Sequence, residues 1–303
     1  MQRQPSALIL VAALAAVSSY GQSNSPADDI GVLKVQGNVY MLVTPEGNIA
    51  AQVGDDGILV VDTGTAALAP KVAAALKKLA DKPVLWVIDT NADPNHIGAN
   101  DVLPRLSGLG PRQQPRIVAY ESVLDRVSGK QSQVPGALWP NDEYFRPTKD
   151  FSFNGEAVEV YHAPGALTDG DSLVHFRRSD VLATGNVFTP ARYPEIRLDQ
   201  GGGIEGEIDA LNQILRITVP LKYEEAGTYV IPGRGRLCDE ADVVEYRNMV
   251  TIVRDRVRAL IGQDKTLDQV KAARPTRDYD TQYDAKSADA FVEAIYRSLT
   301  GKK

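Results

Sequence analysis

The chain has 303 residues, of which 43% are hydrophobic and 24% charged. These values are typical of a folded protein with one large domain or two small ones. Its formal net charge of −6, without a basic stripe, argues against nucleic acid as a partner. The single cysteine, Cys238, excludes an intramolecular disulfide, and a chain of this length can build a sufficient core without one.

The first 21 residues have the order of a secretory signal peptide. Arg3 precedes an apolar run at residues 7–17, and small residues ending at Gly21 follow it. The run is shorter than the roughly 20 residues that span a bilayer. We therefore expect cleavage after Gly21, export to the periplasm or secretion from the cell, and no transmembrane segment afterwards. A retained N-terminal anchor is the alternative.

Residues 22–303 are predicted to form one domain that opens with short strands. Apolar runs between Gly, Asn and Pro turn signals predict strands at residues 32–35, 39–43, 49–53, 58–62, 84–89 and 117–119. Helical spacing of apolar residues predicts helices at residues 68–80, 100–106 and 121–127. Residues 131–147, rich in Pro, Gly and aromatic residues, are predicted to be a long surface loop, which in compact domains is often functional.

The second half repeats this order more loosely. Strand patterns occur at residues 151–153, 158–161, 172–176, 181–183 and 228–231, and helical patterns at 205–217, 240–261, 267–272 and 287–299. Two successive segments, each with strands and then helices, predict two sheets stacked face to face with helices outside. The fold class is therefore α/β (α+β), with a four-layer αββα sandwich and C-terminal helices.

The most informative segment is residues 90–100, which reads T-N-A-D-P-N-H-I-G-A-N. It resembles T-H-x-H-x-D-H-x-G-G-N, the first zinc-ligand loop of the metallo-β-lactamase superfamily. Four further segments resemble family motifs in the same order, at residues 47–64, 162–172, 184–188 and 231–235. The resemblance covers nearly all of residues 30–300 and implies the metallo-β-lactamase-like sandwich, although activity is carried by sites and not by folds.

The resemblance also places the family's metal ligands on this sequence, where only one of them is kept. His96 is retained. The other ligand positions hold Asn91 and Asp93 for two histidines, Asn95 for an aspartate, Leu167 for the third histidine, Asn186 for the bridging aspartate and Arg234 for the last histidine.

These substitutions remove the donors that zinc requires. Imidazole and carboxylate groups hold the ion and lower the pKa of its bound water to about 7. A leucine cannot ligate a metal, a guanidinium repels one, and an amide oxygen is a weak neutral donor. We therefore expect no cofactor, with zinc only if Asp93 and His96 form a rebuilt mononuclear site. Arg234 is predicted to point into the former metal site and to pair with Asp93.

Three functions remain open from the sequence. The first is a homologue that has lost metal-dependent hydrolysis and binds a small molecule or a partner in the retained pocket. The second is an active hydrolase of an ester, lactam or related carbonyl substrate, with Asp93 and His96 as catalytic base and orienting group. The third is a structural or interaction role, with the pocket filled by side chains.

Several other patterns have simpler explanations. Asn91, Asp93 and Asn95 have calcium-loop spacing, but the loop lacks the glycine and the terminal glutamate of such a site. Residues 201–206 satisfy G-x-G-x-x-G without a preceding buried strand, so we expect the flexible start of a helix. Cys238 is expected to be a small packed residue. The aromatic residues of the 131–147 loop either face a substrate or cap the core.

Overall fold

The computed structural model describes residues 30–220 and 227–301, so the predicted export signal at residues 1–21 lies outside the described residues. A seven-stranded sheet comes first in the chain, in the spatial order β1 to β7. Its first four strands are antiparallel, and β4 to β7 are parallel to one another. The strands are β1 (Gly31–Gln36), β2 (Val39–Val43), β3 (Asn48–Gly54), β4 (Gly57–Val61), β5 (Val84–Ile88), β6 (Arg116–Tyr120) and β7 (Asp142–Tyr144).

The second sheet has five strands. They are β8 (Thr148–Phe153), β9 (Glu156–His162), β10 (Ser172–Phe176), β11 (Val181–Ala183) and β12 (Tyr229–Ile231). Their spatial order is β12-β11-β10-β9-β8. All pairs are antiparallel except β11 with β12, which run parallel because α5 (Ile204–Ile217) lies between them in the chain.

The remaining α-helices follow the predicted order, apart from the short additional helix α2. They are α1 (Ala69–Leu79), α2 (Pro94–Ile97), α3 (Val102–Leu106), α4 (Glu121–Ser128), α6 (Glu240–Ile261), α7 (Leu267–Ala272) and α8 (Ala288–Thr300). In the part of the chain that the structure describes, no helix combines the length and apolarity needed to cross a bilayer.

The alternation of apolar residues along the strands produces three apolar layers. On β4, Leu59 and Val61 pack against the second sheet, whereas Ile58 and Val60 pack against α1 and α3. On β10, Val174 faces the first sheet and Leu173 packs with α5, α6 and α8. Because each sheet has one face toward the other sheet and one toward helices, the layers are αββα, and the predicted fold is confirmed.

Two short elements were not predicted. The predicted surface loop at residues 131–147 contains β7, which adds a parallel strand at the edge of the first sheet. Its Tyr144 is buried, and its hydroxyl lies 2.8 Å from Ser172 Oγ. Helix α2 has four residues and begins at Pro94, whose fixed φ suits the first helical position. Both elements are shorter than the window over which periodicity is measurable.

The candidate site lies where loops leave the two sheets along one edge. Asn48 joins the sheets there, because its Nδ2 donates to the carbonyls of Pro232 and Gly235 at 2.9 and 3.0 Å. Its backbone N–H also donates to the carbonyl of Gly233 at 2.8 Å. The turn after β12 is thereby fixed to the start of β3.

We predict that Asn48→Ala lowers the free energy of unfolding by about 1–3 kcal/mol, because two carbonyl groups lose a largely buried donor. Urea unfolding followed by circular dichroism measures this. Gln114→Ala, in an exposed loop, is the control and should change stability by no more than about 0.5 kcal/mol. Equal effects of the two substitutions would contradict this role of Asn48.

Candidate functional site

Asp62 is the residue around which the site is assembled. It follows β4 with a φ of 64°, a left-handed conformation that is costly for a residue other than glycine. Its carboxylate accepts hydrogen bonds from the Thr90 backbone N–H at 2.9 Å and from the Thr90 hydroxyl at 2.9 and 3.0 Å. The same carboxylate lies 2.8 Å from Nδ1 of His96. Asp62 therefore connects β4 to both ends of the 90–96 loop.

Both ring nitrogens of His96 are engaged by protein groups. Nδ1 faces Asp62, and Nε2 lies 2.8 Å from Nδ2 of Asn186. Burial lowers the pKa of His96, but the negative charge and hydrogen bond of Asp62 outweigh it, so the pKa is raised above 6.5. In the neutral ring, Nδ1–H donates to Asp62 and Nε2 accepts from the Asn186 amide. Protonation makes Nε2 a donor, to which Asn186 would turn its amide oxygen.

The carboxylate that pairs with His96 is therefore that of Asp62, and not that of Asp93, which the sequence spacing favours. Asp93 is half-buried, and its Oδ2 lies 3.5 Å from Nη2 of Arg197. Its backbone N–H donates to Oδ1 of Asn91 at 2.9 Å. The Asp93 carboxylate acts on the His96 ring through its charge, which contributes to the raised pKa.

The prediction that Arg234 pairs with Asp93 is wrong. Nη1 of Arg234 instead donates to the carbonyl of Pro45 at 3.3 Å. Arg234 follows β12 in the turn that Asn48 holds against the start of β3, so its side chain reaches the neighbouring 44–48 turn. Arg197, which also lines the cleft, is the partner of Asp93 instead.

A cleft of about 190 Å³ brings the predicted site positions together. It is lined by all the substituted ligand positions, with residues that the sequence did not single out beside them. The first group is Asn91, Asp93, Asn95, Leu167, Asn186 and Arg234, and the second is Thr168, Thr189, Arg192, Tyr193, Glu195 and Arg197. His96 lies behind this lining and is 4% exposed.

Zinc does not fit the donors that line this cleft. Among the described residues, no group of three or more histidine, cysteine, aspartate and glutamate side chains is placed to hold a metal ion. Nε2 of His96, the nitrogen on the cleft side, is occupied by the amide of Asn186. A metal at that nitrogen would have to displace the amide and then find imidazole or carboxylate ligands at positions that hold asparagine, leucine and arginine.

Two buried carboxyl groups lie behind the cleft. Asp171 is 1% exposed, and its Oδ2 accepts from the N–H and hydroxyl of Thr168 at 2.5 and 3.1 Å. Burial raises the pKa of Asp171 to about 7, against the opposing effect of these bonds and of His96. Glu207 is fully buried in α5 and has no hydrogen-bond partner among the described residues. Burial, together with the charge of Asp171, raises its pKa well above 4.5.

The G-x-G-x-x-G segment has a packing role. A Cβ at Gly202 would lie 2.0 Å from the carbonyl oxygen of Leu167, and one at Gly206 would lie 1.9 Å from that of Gly165. Glycine at both positions lets the start of α5 pack directly against the loop that carries Leu167. Neither glycine lines the cleft.

The remaining sequence candidates also lie outside the cleft lining. Phe145 is 67% exposed on the surface, and Nε1 of Trp139 donates to the carbonyl of Val134 at 3.0 Å. His162 stacks on Tyr120 with ring centroids 3.4 Å apart. Cys238 is buried, and burial raises the pKa of its thiol to about 12, which makes it a poor nucleophile at neutral pH.

We predict that the protein loses stability as the pH rises through the titration of Asp171. The pKa of Asp171 is higher in the folded state, about 7 against an ordinary 3.8. Its contribution to the free energy of unfolding is therefore complete below pH 3.8 and is lost as the pH rises through 7. The difference between these two pKa values corresponds to about 4 kcal/mol of that free energy. Asp171→Asn should flatten the decline between pH 4 and 7, as measured by urea unfolding across pH. An unchanged pH profile in this variant would contradict the assignment.

The sequence profile of the metallo-beta-lactamase superfamily matches residues 34–224. No curated protein sequence gives a significant match. Among solved structures, the stereoselective inverting sec-alkylsulfatase Pisa1 from Pseudomonas sp. superimposes with a TM-score of 0.67 at 16% identity, covering 90% of this chain and 51% of the sulfatase. The chain thus spans about half the length of that protein.

Two lactamases match over more of their own length. A metallo-beta-lactamase from Pontibacter korlensis gives a TM-score of 0.57 at 15% identity and covers 74% of this chain and 99% of its own. The DIM-1 metallo-beta-lactamase gives the same TM-score and identity, with 74% and 97% covered. These identities support the fold alone. The profile match covers more than half of the sequence, and the chain belongs to the metallo-beta-lactamase superfamily.

Proposed function

We propose that this protein is an exported, zinc-independent member of the superfamily that binds a small molecule in the cleft at the former metal site. The proposal includes cleavage of residues 1–21, location in the periplasm or outside the cell, and the lack of a resident metal cofactor. It assigns the cleft to ligand binding and not to metal-dependent hydrolysis.

One observation carries the proposal. The only histidine among the ligand positions, His96, has both ring nitrogens bound by protein side chains, Asp62 and Asn186. Beside it, Asp93 lies close to Arg197, and Arg234 adds a positive charge where the family has a histidine. Three arginines and neutral side chains outnumber the two carboxylates, Asp93 and Glu195, in the space where a cation would need several negative and imidazole ligands.

The alternative is hydrolysis of an ester, lactam or related carbonyl compound at a site rebuilt on Asp93 and His96. It requires Asp93 to leave Arg197 and His96 Nε2 to leave Asn186 before either can act on a substrate or a metal-bound water. This rearrangement is the physical difference between the two functions, and it makes metal content the deciding measurement.

We predict that purified mature protein, incubated with zinc and desalted, retains far less than one zinc ion per chain. Elemental analysis measures the zinc, and hydrolysis of chromogenic ester and lactam substrates is assayed on the same sample. Stoichiometric zinc that disappears in Asp93→Ala or His96→Ala would contradict the proposal. Turnover that either substitution abolishes would contradict it as well.

A variant that restores the family's ligands is the positive control. It combines Asn91→His, Asp93→His, Asn95→Asp, Leu167→His, Asn186→Asp and Arg234→His. If the folded variant retains zinc under conditions in which the parent does not, the substituted side chains are responsible for the loss. Circular dichroism and thermal unfolding establish that the variant is folded. If the variant does not fold, the zinc content of the parent protein still tests the proposal.

A further inference from the structure

The cleft is lined by three arginines, Arg192, Arg197 and Arg234. Two of them come from the irregular segment between β11 and α5, and the third comes from the turn after β12. Only two carboxylates, Asp93 and Glu195, line the same space. The lining therefore carries a net positive charge, although the whole chain carries −6.

The three guanidinium groups are not equally neutralised. Arg197 has Asp93 at 3.5 Å. For Arg192 and Arg234, no carboxylate of the described residues lies within the 4.0 Å of an ion pair. Nη1 of Arg234 is held by the carbonyl of Pro45, which positions the guanidinium without cancelling its charge.

Arg192 and Arg234 both line the cleft and repel each other. Burial and the charge of Arg192 lower the pKa of Arg234, and the carboxylates of Glu195 and Glu46 only partly oppose this. Like charges that line the same cleft destabilise each other. An anion between them would remove that repulsion and accept charged hydrogen bonds from both.

The neutral lining residues also suit an oxyanion. Oδ1 of Asn91 accepts from the Asp93 backbone N–H, and this bond fixes which end of the amide is the NH₂ donor that a ligand can meet. Thr189 brings a hydroxyl group to the same space, and a hydroxyl can donate to an oxyanion. The cleft thus offers donors at several points of its wall.

The size of the cleft limits the ligand. Its volume of about 190 Å³ is below the roughly 300–1,000 Å³ of pockets for drug-sized ligands. The cleft therefore has room for a small molecule.

We propose that the ligand of this cleft is a small molecule carrying an oxyanion group, held between the guanidinium groups of Arg192 and Arg234. The proposal rests on the proposed function and names the ligand class of the same site. The charge that a bound metal would supply in this cleft is supplied here by arginine. A planar guanidinium can donate two parallel hydrogen bonds to a carboxylate, sulfate or phosphate group.

The test is calorimetric titration of the full mature protein with sodium acetate, succinate, phosphate and sulfate, against chloride at constant ionic strength. At least one of the four should bind, and Arg234→Gln and Arg192→Gln should each weaken that binding by about tenfold or more, as expected for a charged hydrogen bond. Arg234→Lys should bind with intermediate affinity, because it keeps the charge and loses the planar fork.

Arg216→Gln is the matched control. It makes the same change of charge on an exposed residue of α5 that does not line the cleft, and it should leave the affinity unchanged. Tighter binding of acetate or succinate would identify the group as a carboxylate, and tighter binding of phosphate or sulfate would identify a phosphorylated or sulfated compound. Both results support the proposal.

Two results would overturn the inference. One is that none of the four salts binds, and the other is that binding is equally strong in the Arg192→Gln/Arg234→Gln double variant. Zinc analysis of the same preparations separates this failure from failure of the proposed function. A metal-free protein that ignores all four anions refutes only the ligand class, whereas stoichiometric zinc refutes the zinc-independent function itself.

Discussion

The site depends on the buried contact between Asp62 and His96. A carboxylate in a left-handed turn binds Thr90 and His96 at the same time, so one side chain fixes the start and the end of the loop after β5. Thr63 strengthens this arrangement, because its N–H and hydroxyl both donate to the carbonyl of His96 at 2.7 and 2.9 Å. The strained backbone at Asp62 is maintained because these bonds surround it. Protein groups therefore fix both ends of the loop.

Connection between the two sheets is likewise provided by protein groups. Asn186 lies after β11 in the second sheet and contacts His96 of the first-sheet loop. The backbone N–H of Ser172 donates to the carbonyl of Thr90 at 2.9 Å, and Asn48 binds the turn after β12. These three contacts cross from one half to the other at the edge where the cleft lies. The contacts of Ser172 and Asn48 join uncharged groups and avoid the desolvation cost that a buried ion pair would carry, so the halves are connected without an Arg234–Asp93 pair.

Much of this arrangement could be predicted from the sequence, for identifiable reasons. Strands such as 172–176 and the long helix at 240–261 have strong apolar periodicity over their length, and the structure places them at those residues. The ligand positions Asn91 and Arg234 could be aligned because the glycines and prolines around them preserve the loop frame, and the structure brings both to one cleft.

The site residues that the sequence analysis did not identify have no local sequence pattern that marks them. Arg192 and Arg197 lie in an irregular polar segment between β11 and α5, where neither periodicity nor a motif marks a residue as facing a cleft. The sequence places Asp62 only at the end of the predicted strand 58–62, and its partner His96 is 34 positions further along. The choice of Arg197 over Arg234 as partner to Asp93 depends on side-chain reach across the cleft. Only the folded geometry contains this information.

The character of the cleft also bears on whether the site has any ligand at all. A protein that had become a scaffold would gain stability by filling this space with apolar side chains, because each buried methylene contributes about 0.8 kcal/mol. Among the positions that the resemblance assigns to metal ligands, only Leu167 is apolar, and it packs into the adjoining core. The other positions hold amides, a carboxylate and a guanidinium around an open volume of about 190 Å³. Polar groups that wall a retained cavity must be hydrated or bound to a ligand. Maintaining such a cavity brings no benefit to a scaffold, and this favours a binding role over a structural one.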